Sequence, residues 1–301
     1  MATYARHVRH QVPVMVGLAE TAMSALWQRV PGRRAPDAPL VPGPEIRRIL
    51  PPRPEALIRD YARHVGADPE RYARTLPPHL FPQWSFGLAG KALRGLPYPL
   101  ARALNAGFRL EIHRPMPAAE PIDVSVRLES IDESERRVKL RQRIRSGTAS
   151  APNAQIGYLD VVIPRSRGPS GGGGTKREPA LVPEDAEELG RWPLSARAGL
   201  SFAQLTGDFN PVHWLRPYAR AFGFQSTILH GFSTGARAME ALARARAGGD
   251  VHGVPVFEAA FTRPLVLPAA VGVYEGGELD VYVGDRPGER AYLVGSYELG
   301  R

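Results

Sequence analysis

Two residue types that move protons near neutral pH stand five positions apart in Gly207-Asp208-Phe209-Asn210-Pro211-Val212-His213. A free imidazole titrates near about 6.5 and a free aspartyl carboxyl near about 3.9. Held at one point, the pair can take a proton from water and hand one back. Gly207, Asp208, Asn210 and Pro211 are turn formers, so the stretch reads as a loop stiffened by its proline. Further along, His230 precedes Gly231, which opens an apolar run. Glycine at a helix start leaves backbone N–H groups uncovered, a natural place for a developing negative charge. Together these groups would supply a base, an acid and a donor for a developing oxyanion. Gly-Asp-x-Asn-Pro alone is a common turn, and one loop histidine alone is ordinary. The combination, at this spacing, is what points to chemistry.

The elements that must position this loop follow from periodicity. Phe232, Ala236, Met239 and Ala243 recur at helical spacing, which predicts a helix over 231–245 with one buried face. A second apolar run, 83–96, predicts another helix. Segments 122–130, 136–146 and 154–163 alternate as strands, as do 254–262, 270–283 and 290–297, with a turn at Asp285-Arg-Pro-Gly288. Strands in runs after a helix indicate an α+β fold, not alternating βαβ units.

The chain also repeats itself. Phe108-Arg-Leu-Glu-Ile-His-Arg-Pro115 matches Phe257-Glu-Ala-Ala-Phe-Thr-Arg-Pro264, and Tyr61-Ala-Arg-His-Val-Gly66-Ala-Asp68 matches Phe202-Ala-Gln-Leu-Thr-Gly207-Asp208. With a helical run before each set of strands, the blocks come in one order, which argues for a duplicated unit. The first copy departs from the chemical pattern. It has the acid Asp68 but no matching histidine, and Phe81-Pro82 replaces His-Gly. The expected organisation is an N-terminal extension (1–54), a first unit without catalytic residues (55–163), a Gly/Ser-rich linker (164–180) and a catalytic unit (181–301).

Composition narrows the function. With 43% hydrophobic residues the chain can bury a core, and with no cysteine it has neither disulfides nor thiolate chemistry. The net charge of +9 favours an anionic partner such as a phosphorylated substrate. No nucleic-acid motif accompanies that charge. No run reaches the about 20 apolar residues of a membrane span, and 12–27 lacks the cleavage pattern of a signal peptide, so the expectation is a cytoplasmic protein without membrane contact. Gly171 to Gly174 lacks the Gly-Lys-Ser/Thr ending of a phosphate loop. No histidine pair has metal-ligand spacing, so neither metal nor cofactor is expected.

The motif Gly207-Asp208-x-Asn210-Pro211-x-His213, followed by His230-Gly231, resembles the MaoC-like, (R)-specific enoyl-CoA hydratase family, strongly over 201–242. The repeat extends the resemblance to a double-hotdog type: two long central helices wrapped by antiparallel sheet. What it implies is a hydro-lyase that reversibly hydrates trans-2-enoyl-CoA to (R)-3-hydroxyacyl-CoA. Asp208 and His213 would be the catalytic pair and the Gly231 backbone the oxyanion donor. Asn210 and His230 would position substrate and loop. The first unit would hold the acyl chain. A dehydratase of another 3-hydroxyacyl or dicarboxylic thioester and a non-catalytic acyl-CoA-binding protein are the alternatives. Arginines would meet the CoA phosphates, though spacing assigns no particular one. Monomer and homodimer are both compatible with two units in one chain.

Overall fold

Alternation dictates the strands of this protein. The computed structural model describes residues 4–27, 39–165, 179–277 and 280–300. In the first part lie α1 (Val12–Trp27), β1 (Ile46–Leu50), α2 (Glu55–Val65) and α3 (Pro82–Ala92). They are followed by β2 (Leu104–Ile112), β3 (Ile122–Glu133), β4 (Arg137–Gly147) and β5 (Gln155–Pro164). In the second lie β6 (Glu187–Leu194), α4 (Ala198–Thr206), α5 (Arg216–Ala221), α6 (Gly231–Arg246), β7 (Val256–Phe261), β8 (Ala269–Gly276), β9 (Asp280–Gly284) and β10 (Leu293–Glu298). In β4 every second side chain from Val138 to Ser146 is buried, and Val138, Leu140 and Ile144 supply the apolar ones.

The ten described strands form one antiparallel sheet in the order β1-β3-β4-β5-β2-β7-β10-β9-β8-β6. Read outward from the β2–β7 pair, the two sides are the same list. The first strand of each unit is at the edge, the second at the centre, and the next three fill between. The duplication inferred from Phe108 and Phe257 is therefore visible in the strand order. Those two phenylalanines sit on the paired central strands with ring centroids 5.7 Å apart.

α6 is buried more completely than one-face periodicity predicts. Every residue from Phe232 to Ala243 is buried, because strands cover one side and the first unit's α2 packs on another. Phe232 meets Phe81 and Phe86, from the start of α3, at 5.8 and 5.1 Å. Deeper along α6, buried Glu240 accepts hydrogen bonds from Tyr72 Oη (2.5 Å) and His79 Nε2 (2.8 Å). The Tyr61 hydroxyl lies 3.0 Å from His79 Nδ1. Burial holds both tyrosines well above their ordinary range, so both remain protonated donors.

Ordered structure starts earlier than the expected boundary at residue 55. A 3-10 helix (Ala5–Gln11) runs into α1, and β1 pairs with β3 inside the sheet. His7 and Asp60 form a buried contact of 2.8 Å that ties the first helix to α2. Most of the expected linker, 166–178, lies outside the described residues, as does 28–38 of the expected extension. No described helix is long and apolar enough to cross a membrane.

Candidate active site

The loop begins where α4 ends. Gly207 takes φ +86°, a left-handed conformation suited to glycine, and its N–H bonds Ala203 O at 2.8 Å. A Cβ at Gly207 would lie 2.9 Å from Val14 Cβ, so α1 presses directly on the backbone preceding Asp208. Gln11 adds hydrogen bonds to Leu205 O (2.8 Å) and Gln204 O (3.3 Å). The N-terminal helices thus brace the loop from behind, a role that sequence reasoning missed.

Beyond Gly207 the loop satisfies itself. Asp208 Oδ1 accepts from Asn210 N, and Asn210 Oδ1 accepts from Val212 N, both at 3.3 Å. The second bond caps the 3-10 turn Pro211–His213 with proline at its first position. Asn210 is exposed and orders the loop. Trp214 Nε1 closes back on Phe209 O at 3.1 Å. Gly199 on α4 is what lets the turn dock: a Cβ there would sit 2.0 Å from His213 O.

The two histidines are fixed by carbonyl oxygens, which only accept. His213 Nδ1 lies 2.9 Å from Ile228 O, so Nδ1–H donates there, and in the neutral imidazole the lone pair is on Nε2. His230 Nε2 lies 2.9 Å from the Asp208 carbonyl, so Nε2–H donates there. The two rings stack at 3.6 Å between centroids and 24° between planes. His230 is pushed down to about 3, first by complete burial and then by His213, so it stays neutral. His230 is therefore a brace for the Asp208 backbone rather than a proton carrier at neutral pH.

Asp208, His213 and His230 each bring one donor atom within 4.8 Å of the other two. The Asp208 side chain is 20% exposed, against 1% for His230, so the carboxylate meets solvent while the brace does not. The spacing would also suit a small cation, a possibility the sequence did not raise. Each ring, however, already commits one nitrogen to a carbonyl, and the His230 nitrogen nearer the carboxylate (3.8 Å) is the committed one.

α6 starts at Gly231, with His230 as an extended N-cap that makes no side-chain cap bond. Among the described residues the Gly231 N–H has no acceptor. The Phe261 ring would lie 2.5 Å from a Cβ here, so only glycine permits this approach. All five residues singled out in sequence thus gather around one end of α6. Asp68 does not behave as an equivalent of Asp208. It caps the turn Pro69–Tyr72 by accepting from Glu70 N (3.1 Å), as Asn210 does in the second unit. Counting from these caps, Arg71 stands at the place of His213.

Known proteins resemble this chain over the segment that carries the site. The MaoC like domain family matches over residues 190–276. Two curated relatives come from Mycobacterium tuberculosis. An enoyl-CoA hydratase, ChsH3, is 28% identical over 171 residues, 56% of this chain and 58% of its own length. The 3-hydroxyacyl-thioester dehydratase X is 27% identical over 226 residues, 73% of this chain and 75% of its own. The chain thus spans little more than half of the first relative. The crystal structure of HtdX from the same organism superposes with a TM-score of 0.66 at 20% identity, covering 85% of this chain and all of that one. That likeness shows a hotdog fold. The matched segment holds the loop, α6 and most of the edge strand β6, so it coincides with the histidine–aspartate cluster.

Proposed function

We propose that this protein is an acyl-thioester hydro-lyase that hydrates trans-2-enoyl-CoA reversibly to (R)-3-hydroxyacyl-CoA, on a double-hotdog frame with α3 and α6 as the two central helices. The observation that carries the reading is the fixed tautomer of His213. In the neutral ring its lone pair is on Nε2, the imidazole and the Asp208 carboxylate bring donor atoms within 4.8 Å of each other, and among the described residues the Gly231 N–H at the helix end is uncommitted.

The chemistry follows from that geometry. A water held between Asp208 and His213 loses a proton to Nε2 as its oxygen bonds to the β-carbon. The C=C electron pair moves toward the thioester, and the carbonyl oxygen becomes enolate-like. Gly231 N–H donates to that oxygen, a contribution of about 3 kcal/mol to the barrier for one such donor. The acid–base pair returns a proton to the α-carbon, so the sum is one water added. Dehydration runs the same steps backward, because a catalyst leaves the equilibrium where it is. Asn210 and His230 hold the loop. The first unit, without a histidine at the place matching His213 or a glycine-led helix, houses the acyl chain and leaves one active site per chain.

The test is the enoyl thioester absorbance of crotonyl-CoA and longer homologues with enzyme added. The band should decay toward the hydration equilibrium, and the product should be the (R)-isomer on a chiral column. An unchanged band across short, medium and long chains would leave a binding protein in place of an enzyme.

A further inference from the structure

A cleft of about 470 Å³ opens between the N-terminal helices, β1 and α3, within the range of small-molecule sites. Its floor is apolar, with Val14, Leu50, Trp84 and Leu88. Its charged and titratable lining consists of Arg9, His10, Arg48, Arg53 and Lys91, with no carboxylate among them. Trp84 is pinned by Nε1 to Ser146 Oγ at 3.0 Å, so the floor is rigid.

The charges are largely unneutralised. Among the described residues Arg9, Arg48 and Arg53 have no ion-pair partner. Glu20 lies outside the lining. It pairs with Arg94 and stands 3.8 Å from Lys91. Arg53 spends its donors on neutral oxygens, Pro51 O and Gln83 Oε1, which orient the guanidinium without cancelling it. Burial brings Arg53 down to about 10, still cationic at neutral pH. His10 is held below its usual range by burial, then by Arg9, His7 and Arg53, and its Nε2 accepts from Arg9 Nε at 3.2 Å. Concentrating cations around an apolar floor is costly unless a multiply charged anion with an uncharged body fills it. The cleft also borders the element that braces the active-site loop: Val14 forms part of its wall and packs against Gly207, the residue before Asp208.

We propose that this cleft seats the nucleotide end of a coenzyme A ester, with Arg9, Arg48, Arg53 and Lys91 facing its phosphates. The proposal rests on the hydro-lyase reading and deepens it. It says that the thioester is recognised by its adenosine 3′,5′-bisphosphate handle, and not only by its acyl group. Guanidinium groups suit phosphate oxygens because their planar forks can meet two at once.

The test uses two exposed positions, Arg9→Glu with Arg48→Glu, in the full chain. Adenosine 3′,5′-bisphosphate should bind the wild type in calorimetry and compete with crotonyl-CoA. In the double variant its affinity should fall by about tenfold or more, the equivalent of about 1.4 kcal/mol. The preference for crotonyl-CoA over crotonyl-N-acetylcysteamine, as a ratio of kcat/KM, should fall by a similar factor. Wild-type binding should weaken as salt is raised, because exposed charges are screened. A bisphosphate that binds both proteins alike, or a wild type that prefers neither thioester, overturns the cleft assignment while leaving the hydro-lyase intact. If the wild type hydrates neither thioester, the hydro-lyase reading falls, and the bisphosphate titration still decides the cleft.

Discussion

The two units begin their loops identically and end them differently. Gly66 and Gly207 close α2 and α4 with the same φ of +86°. Each is followed by a capped 3-10 turn with proline first: Asp68 caps Pro69–Tyr72, and Asn210 caps Pro211–His213. Between glycine and cap the first unit has only Ala67, where the second has Asp208 and Phe209. Two residues beyond each proline stand Arg71 and His213. At the helix starts, Phe81-Pro82 faces His230-Gly231, and proline has no N–H to offer an oxyanion. The frame is thus common to both units, and on the proposed function the chemistry is confined to four positions. The lesson is that the turn, the cap and the helix start are scaffold features. Activity is a small set of substitutions upon them.

The sharpest way to break that comparison is to remove proton-transfer groups from one side only. Asp208→Asn and His213→Gln should each lower kcat for enoyl-CoA hydration by about 10²- to 10⁴-fold. Arg71→Ala, at the place matching His213, should leave turnover within measurement error. Equal losses on both sides, in steady-state assays, would end the division of labour.

A second test makes the active unit more like the silent one. His230→Phe installs the residue type that Phe81 supplies. It deletes the donor to the Asp208 carbonyl while keeping a ring to stack, and turnover should drop by about 10- to 100-fold through misplacement of the loop. The same variant should change the response to acid. With a folded value of about 3 against about 6.5 unfolded, His230 binds its proton more readily in the unfolded chain. Its contribution is therefore complete above about pH 6.5 and is lost as pH falls toward 3. Between pH 7 and 5 the wild type should lose about 2 kcal/mol from this group, a loss absent in His230→Phe when urea unfolding is compared at both values.

The smallest effect belongs to Asp68. Asp68→Ala removes a cap worth about 1 kcal/mol, visible as a lower unfolding midpoint, while turnover stays nearly intact. A large loss of activity there would mean that the first unit's loop does chemistry after all. Treatment with a chelator should likewise leave turnover unchanged if the acid–base pair works without a metal.

Much of this was legible in the chain. The turn residues around Asp208 and His213, the helical spacing of Phe232 to Ala243 and the alternation in β3, β4 and β5 each declare one structure. Other features were hidden for physical reasons. β1 and β6 are edge strands, each with one neighbour. β1 carries Arg47 and Arg48 outward, and β6 contains Gly190 and Pro193, so neither alternates cleanly. Segment 270–283 read as one strand but is two, β8 and β9, reversed after Gly277 at φ +63°. Asp68 looked like the partner of Asp208 because a one-residue difference in loop length is invisible until the caps are superposed. The pairing of His230 with a backbone carbonyl leaves no trace in residue type.

The seam between the units has a consequence for how this chain can change. Glu240, inside the active half, depends on Tyr72 and His79 from the silent half for its hydrogen bonds, and β2 and β7 complete one another's ladders. Deleting the silent half would strand a carboxylate in a dry interior and open the middle of the sheet to any passing strand. If the first unit is free of catalysis as proposed, it is not free of selection: it can reshape its cavity, but not disappear.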